Sequence, residues 1–121
     1  MFINNWIENF ILAWKKRDIE TIMNIFSSVE EYWETPFFKL SKGPENIKNA
    51  WEEIMYQDNI ILNISVLISK ENDYILQWYL KYIDSRDKQE YEMDGIYQLK
   101  FNDLKKCTFF KQWWVMNQKE N

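Results

Sequence analysis

Histidine is absent from these 121 residues, and cysteine occurs once, at Cys107. The first absence removes the commonest metal ligand and the commonest general base near neutral pH, and it excludes every triad built on histidine. The second excludes an intramolecular disulfide and offers no thiol metal site, so neither a metal nor another cofactor is expected. Positive charge is scarce as well. The chain carries a formal net charge of −4, and its Lys/Arg clusters (Lys15-Lys16-Arg17 and Lys105-Lys106) are short. A nucleic-acid binder needs a basic face to neutralise phosphates, so no nucleic-acid partner is expected. Long apolar runs are missing too. Phe10-Ile11-Leu12-Ala13-Trp14 stops at Lys15 with no basic segment before it, which reads as neither a secretory signal nor a membrane span. The expectation is a cytoplasmic protein with no membrane partner.

What the chain has in quantity is aromatic side chain: 18% of its residues, with seven tryptophans. That is far too much apolar mass for a disordered segment, and the length suits one domain, 1–121, with a real core. Ile3, Trp6, Ile7, Phe10, Ile11 and Trp14 recur at helical spacing, with Asn5 and Glu8 placed as a capping box. Asp18 opens a shorter helix whose stripe is Ile19, Ile22, Met23 and Phe26. Val29 to Thr35 reads as a strand closed by Pro36, and 36–43 as a loop. Gly43-Pro44-Glu45 starts a third helix striped by Ile47, Ala50 or Trp51, and Ile54.

From Asn59 the period changes to two. Ile60, Leu62, Ile64, Val66 and Ile68 share one strand face, and Tyr74, Leu76, Trp78, Leu80 and Tyr82 share another. Tyr91, Met93, Tyr97, Leu99 and Phe101 follow in a fourth long segment. A tight turn at Asn102-Asp103-Leu104-Lys105 then leads into a last strand that is apolar on both faces, hence covered on both. In that turn Asn102 or Asp103 is expected to take the positive φ. The fold class is α+β: three N-terminal helices packed in the concave face of a strongly bent, mostly antiparallel sheet, a cone-like α+β barrel.

The landmarks Ala13-Trp14…Asp18, Pro36…Gly43…Ile47…Trp51, Asp94-Gly95-Ile96-Tyr97…Phe101-Asn102 and Trp113-Trp114 resemble the nuclear-transport-factor-2-like superfamily, in its SnoaL-like branch. The resemblance spans essentially the whole chain. It implies a cone whose bent sheet wraps the first helix and leaves a pocket open at one end, and often a dimer through the convex sheet face. It is nearly silent on activity, since that fold hosts isomerases, cyclases, hydrolases, dehydratases and non-catalytic binders. In the family register, the catalytic tyrosine of the ketosteroid isomerases falls at Phe10, their general-base aspartate at Thr35, and the second aspartate of their oxyanion site at Tyr97. Phe10 cannot donate a hydrogen bond and Thr35 cannot accept a proton at neutral pH, so ketosteroid isomerase chemistry does not carry over. The dehydratase members lean on histidine. The epoxide hydrolase members use an Asp-Arg-Asp set, whereas Arg17 and Arg86 here fall at predicted element ends.

The same register, with strand alternation, lines a pocket with Phe10, Trp14, Trp33, Thr35, Trp78, Tyr82, Tyr97, Phe110 and Trp114, with Gln112 as its main amide. Such walls suit a flat, largely apolar, small hydrophobic or aromatic molecule. The competing reading is that these rings simply fill the cone as core. Asp94 is the candidate catalytic carboxylate, provided that a bulge at Gly95 turns it inward, where desolvation would raise its pKa. Without the bulge it belongs to the solvated face. Glu34 alternates outward. Tyr82 and Tyr97 are candidates to orient a ligand carbonyl, and Cys107 reads as a packed residue with no base to activate it. On the convex face Ile75, Tyr79, Phe109 and Trp113 form an apolar patch, which suggests a homodimer. The function read from all this is an uncharacterised small-molecule-binding protein, with lyase- or isomerase-type activity left open. The alternatives are a dimeric module with a self-filled cone and a protein-interaction scaffold.

Overall fold

The computed structural model describes residues 2–40 and 43–119. Helix α1 (Phe2–Lys15) buries Ile3, Ile7, Phe10, Ala13 and Trp14. These are the residues that 3.6-fold spacing puts on one face. It begins before Asn5, so Asn5 and Glu8 lie exposed within it rather than capping it. It ends where Arg17 takes a left-handed φ of 56°, with the Asp18 N–H bonded to the Ala13 carbonyl at 2.9 Å. Asp18 then caps α2 (Ile19–Ile25), accepting from the Thr21 N–H at 3.1 Å and from its hydroxyl at 2.7 Å. Those two bonds hold its carboxyl below the usual range. Helix α3 (Pro44–Trp51) starts on its proline and runs into a 3₁₀ turn, Glu52–Tyr56.

Six strands follow the order β2-β1-β6-β5-β4-β3. They are β1 (Glu31–Thr35), β2 (Phe38–Leu40), β3 (Gln57–Lys70), β4 (Asp73–Asp84), β5 (Glu90–Phe101) and β6 (Cys107–Lys119). Every pairing is antiparallel except β1 with β6. The α+β architecture is the expected one, with the helices against one face of a curled, open sheet. The segment read as a loop over 36–43 contains β2, paired with β1 from Tyr32↔Leu40 to Thr35↔Phe38. Residues 41 and 42 lie outside the described residues. Three residues beside a 97% exposed Phe37 offer no alternation to detect.

Three backbone details redirect side chains. A register shift between Val66 and Ile68 turns Ile68 onto the outer face opposite Ile75, away from Leu62 and Ile64, and leaves it 63% exposed. The β5–β6 turn is built on Asn102, whose Oδ1 accepts from the Leu104 and Lys106 N–H groups, both at 3.0 Å. Its positive φ falls on Lys105 (63°), not on Asn102 or Asp103. Strand β5 pairs without a register shift from Glu90 to Lys100 against both neighbours, so Gly95 carries no bulge. Its role is steric. Trp78 stands directly across from it, and a Cβ at position 95 would come within 2.7 Å of the indole. The missing side chain lets the ring lie on the backbone.

Candidate functional site

Helices and sheet enclose an aromatic interior with two unlike ends. At one end Phe10, Tyr97 and Phe110 are completely buried. Tyr97 stacks on Trp78 at 5.1 Å between centroids, meets Phe110 at 4.9 Å and contacts Phe10 at 6.0 Å. These three, expected as pocket walls, are packed core and line no open space.

At the other end a cavity of about 220 Å³ lies between α1, α3, the 3₁₀ turn and strands β1, β4, β5 and β6. Its wall contains Trp14, Trp78, Tyr82, Gln112 and Trp114 together with Tyr32, Glu34, Trp51 and Gln57. Exposed Glu53 and Met116 mark its mouth. Trp14 donates its indole N–H to Gln57 Oε1 at 2.7 Å and stands perpendicular to Trp51, 4.8 Å away. Trp114 is held by an indole bond to the Glu34 carbonyl, 3.3 Å. Gln57 begins β3 just ahead of the irregularity at Asn59 (φ 53°), and no period in the sequence signals its inward position.

The first strand corrects the sequence reading. Tyr32 is buried, stacking on Phe110 at 4.8 Å beside the parallel partner strand and edge-on to Phe26 at 5.5 Å. That slot sets the parity of β1 and brings Glu34 to the cavity wall. Trp33 and Thr35 are therefore outside the cavity lining. Trp33 is served instead from the other side by Lys39 and Lys111, 5.5 and 4.4 Å from its ring. The family register at Thr35, carried along β1 by alternation, puts the other pair inside, because the strand's phase is decided by the Tyr32 slot.

The carboxylates exchange roles in the same way. Asp94 pairs across from Tyr79 and Val115 and is exposed on the outer face, since β5 lacks the bulge that would turn it inward. Glu34 is the carboxylate at the cavity. Its Oε2 is buried with no hydrogen-bond partner, and burial raises its pKa above the usual carboxylate value. Burial, and next the Glu34 charge, push the Tyr32 and Tyr97 hydroxyls well above their ordinary range. The Tyr82 hydroxyl is pushed up to about 12, chiefly by burial and then by Asp84. Chemically, the site offers one carboxylate able to hold or release a proton, neutral phenols, and indole walls.

Elsewhere, a larger and shallower groove of about 370 Å³ runs along α1, α2 and the β5–β6 turn. Its one acid, Asp18, is engaged in capping α2. Cys107 is buried, donates weakly to the Phe109 carbonyl at 3.4 Å, and has its thiol pushed up to about 12 by burial. Among the described residues no group of three His, Cys, Asp or Glu side chains could hold a metal ion, and no helix is long and apolar enough to cross a membrane. On the outer face Trp113 is 37% exposed, and Ile75, Tyr79 and Phe109 are half-buried. Lysines lie over two of the rings, Lys100 over Phe109 and Lys111 over Trp113.

No family model and no curated relative matches this sequence. Solved structures match over nearly all of it. The epoxide hydrolase/cyclase-like enzyme SalBIII, with a role in pyran ring formation in the polyether salinomycin, superposes with a TM-score of 0.77 at 5% identity, covering 96% of this chain and 95% of its own. The Δ5-3-ketosteroid isomerase of Mycobacterium sp. gives 0.77 at 10% identity, with 95% and 96% covered. A computationally designed 17-OHP binder gives 0.75 at 11%, with 96% and 95% covered. At such identities the likeness establishes the fold.

Proposed function

We propose that this chain, which has the nuclear-transport-factor-2-like fold that its SnoaL-like landmarks implied, binds a compact, largely apolar small molecule in the cavity beside Glu34. One observation carries the reading: a space of about 220 Å³ walled by four tryptophans still contains a buried carboxylate oxygen that the protein leaves without a partner. Buried polar groups are normally satisfied, so an orphan in a cavity wall calls for a partner, which a ligand would supply. The volume falls below the roughly 300–1,000 Å³ of sites for drug-sized ligands, which suits an occupant about the size of a fused bicyclic ring. Isomerases, cyclases and a designed binder on the same fold support a ligand-binding role. Any proton transfer to the occupant belongs to Glu34, not to Asp94.

Native mass spectrometry under gentle and then denaturing conditions is the direct test, backed by NMR titration with the neutral bicycle 2-naphthol. The expected result is either a co-purified mass lost on denaturation or saturable 2-naphthol binding, with a dissociation constant of about 0.1–1 mM for so small a probe. A ligand-free protein with no saturable response would sink the proposal and favour the self-filled module.

The outer face supports a second, compatible reading, a homodimer through Ile75, Tyr79, Phe109 and Trp113. Trp113 and the 71% exposed Val115 lie side by side with Ile96 on that face, and apolar residues gathered there suit an interface. Light scattering on the purified chain tests it, and a monomer at high concentration would refute it.

A further inference from the structure

The cavity contains an unbalanced charge. None of the ion pairs among the described residues involves Glu34. Glu53, at the mouth, is answered from outside by Arg86 at 2.6 Å, but no lysine or arginine lines the space. The protein's own cation–ring contacts are distributed in the same way. Among the described residues they fall on Phe2, Trp33, Tyr56, Phe109 and Trp113, all outside the cavity lining. The indoles of Trp14, Trp51, Trp78 and Trp114 therefore line a space next to an uncompensated carboxylate, with no cation supplied by the chain.

Three kinds of occupant can be compared. An anion would meet Glu34 and find no positive group. A neutral apolar molecule would desolvate Glu34 further and leave its charge unanswered. An ammonium group would pair with the carboxylate, while indole faces attract the same positive charge through their quadrupoles. We propose that the cavity is selective for a compact organic cation, an amine whose nitrogen sits against Glu34 and whose carbon skeleton packs among Trp14, Trp51 and Trp78. This deepens the binding reading given above and rests on it.

Three probes with one ring system separate the two ideas: tryptamine (cation), 3-ethylindole (neutral) and indole-3-propionate (anion), each titrated by calorimetry at neutral pH. Tryptamine should bind about tenfold or more tighter than 3-ethylindole, with indole-3-propionate weakest. Glu34→Gln should erase that preference while retaining 3-ethylindole binding, which also shows that the variant is folded. Asp94→Asn, on the outer face, should keep the preference. If 3-ethylindole binds as tightly as tryptamine to the unaltered protein, the cation inference is wrong and the binding reading stands. If none of the three binds to folded protein, both fall.

Discussion

The two ends of the aromatic interior are built from the same residue types and do different things. Around Phe110, rings meet at 4.8 to 4.9 Å and every face is covered. At the end bounded by Trp114, Trp14 and Trp51 still meet at 4.8 Å, yet the walls leave about 220 Å³ with a carboxylate among them. Aromatic content alone does not distinguish core from site. The distinction comes from polar groups interleaved among the rings: Gln57, Gln112 and Glu34 all line the open end. A charged or amide side chain cannot be packed dry without a partner, so its presence keeps that end from collapsing.

Trp78 is the seam, with one face stacked on Tyr97 and its edge in the cavity wall, and it lies flat because residue 95 has no side chain. Gly95→Ala is expected to have the largest effect. The new methyl would strike both the Trp78 indole and the Trp113 carbonyl, and backbone cannot swing aside. The cost should exceed the roughly 1–3 kcal/mol of ordinary overpacking, seen as loss of the cooperative melt. Next, Phe110→Ala at the packed end should cost about 3–5 kcal/mol. Trp114→Ala at the open end should cost only about 1–2 kcal/mol, since it loses partial burial and one indole hydrogen bond, yet it should weaken small-molecule binding more than Phe110→Ala does in whatever protein remains folded. Equal losses of stability at the two sites, measured by urea denaturation, would erase the distinction between the ends.

The sequence carried the architecture because its signals were long. Fourteen helical residues and four strands of 12 to 14 residues repeat their period many times, so one irregularity does not hide the pattern. The site depended on short signals. β1 has five residues, too few for alternation to fix its own phase, and the phase is set by Tyr32 entering a slot made by Phe26 and by Phe110, the latter far away in sequence. That one slip exchanged Tyr32 and Glu34 for Trp33 and Thr35. Asp94 was left between two readings for a related reason. A glycine inside a strand signals either a bulge or a close approach, and only the partner across the ladder, Trp78, decides between them.

Glu34 allows a subtler comparison of the ends, through pH. Its carboxyl has an ordinary value of 4.5 and burial raises it in the folded chain. The folded state therefore binds the proton more readily than the unfolded one, and the stabilisation is fully present below 4.5. It is lost as pH rises through the folded value. Tyr32 and Tyr97, the buried phenols that feel Glu34, stay protonated throughout. The melting temperature of the native chain should fall relative to Glu34→Gln as pH goes from 4 to 7, with the variants alike at the acid end. Parallel melting curves over that range would mean that Glu34 is solvated and that the open end has no special electrostatics.

The outer face supplies the zero of the scale. Trp113 is an aromatic residue that is neither packed like Phe110 nor set in a cavity wall like Trp114. It is partly exposed, with the Lys111 ammonium 5.1 Å from its ring, and cation–π contact at such a surface is worth about 0.5–1 kcal/mol. Trp113→Lys removes the contact, places a charge where water already reaches, and should change the stability of the isolated chain by no more than about 1 kcal/mol. Its consequence should be in assembly. If copies of the chain associate through this face, a lysine at position 113 of each partner desolvates a charge with no acid to meet it, except Asp94 two residues along the neighbouring strand. Light scattering should then report a shift to monomer with an unchanged melt at low concentration. An unchanged assembly state would place the interface, if the chain forms one, away from Trp113.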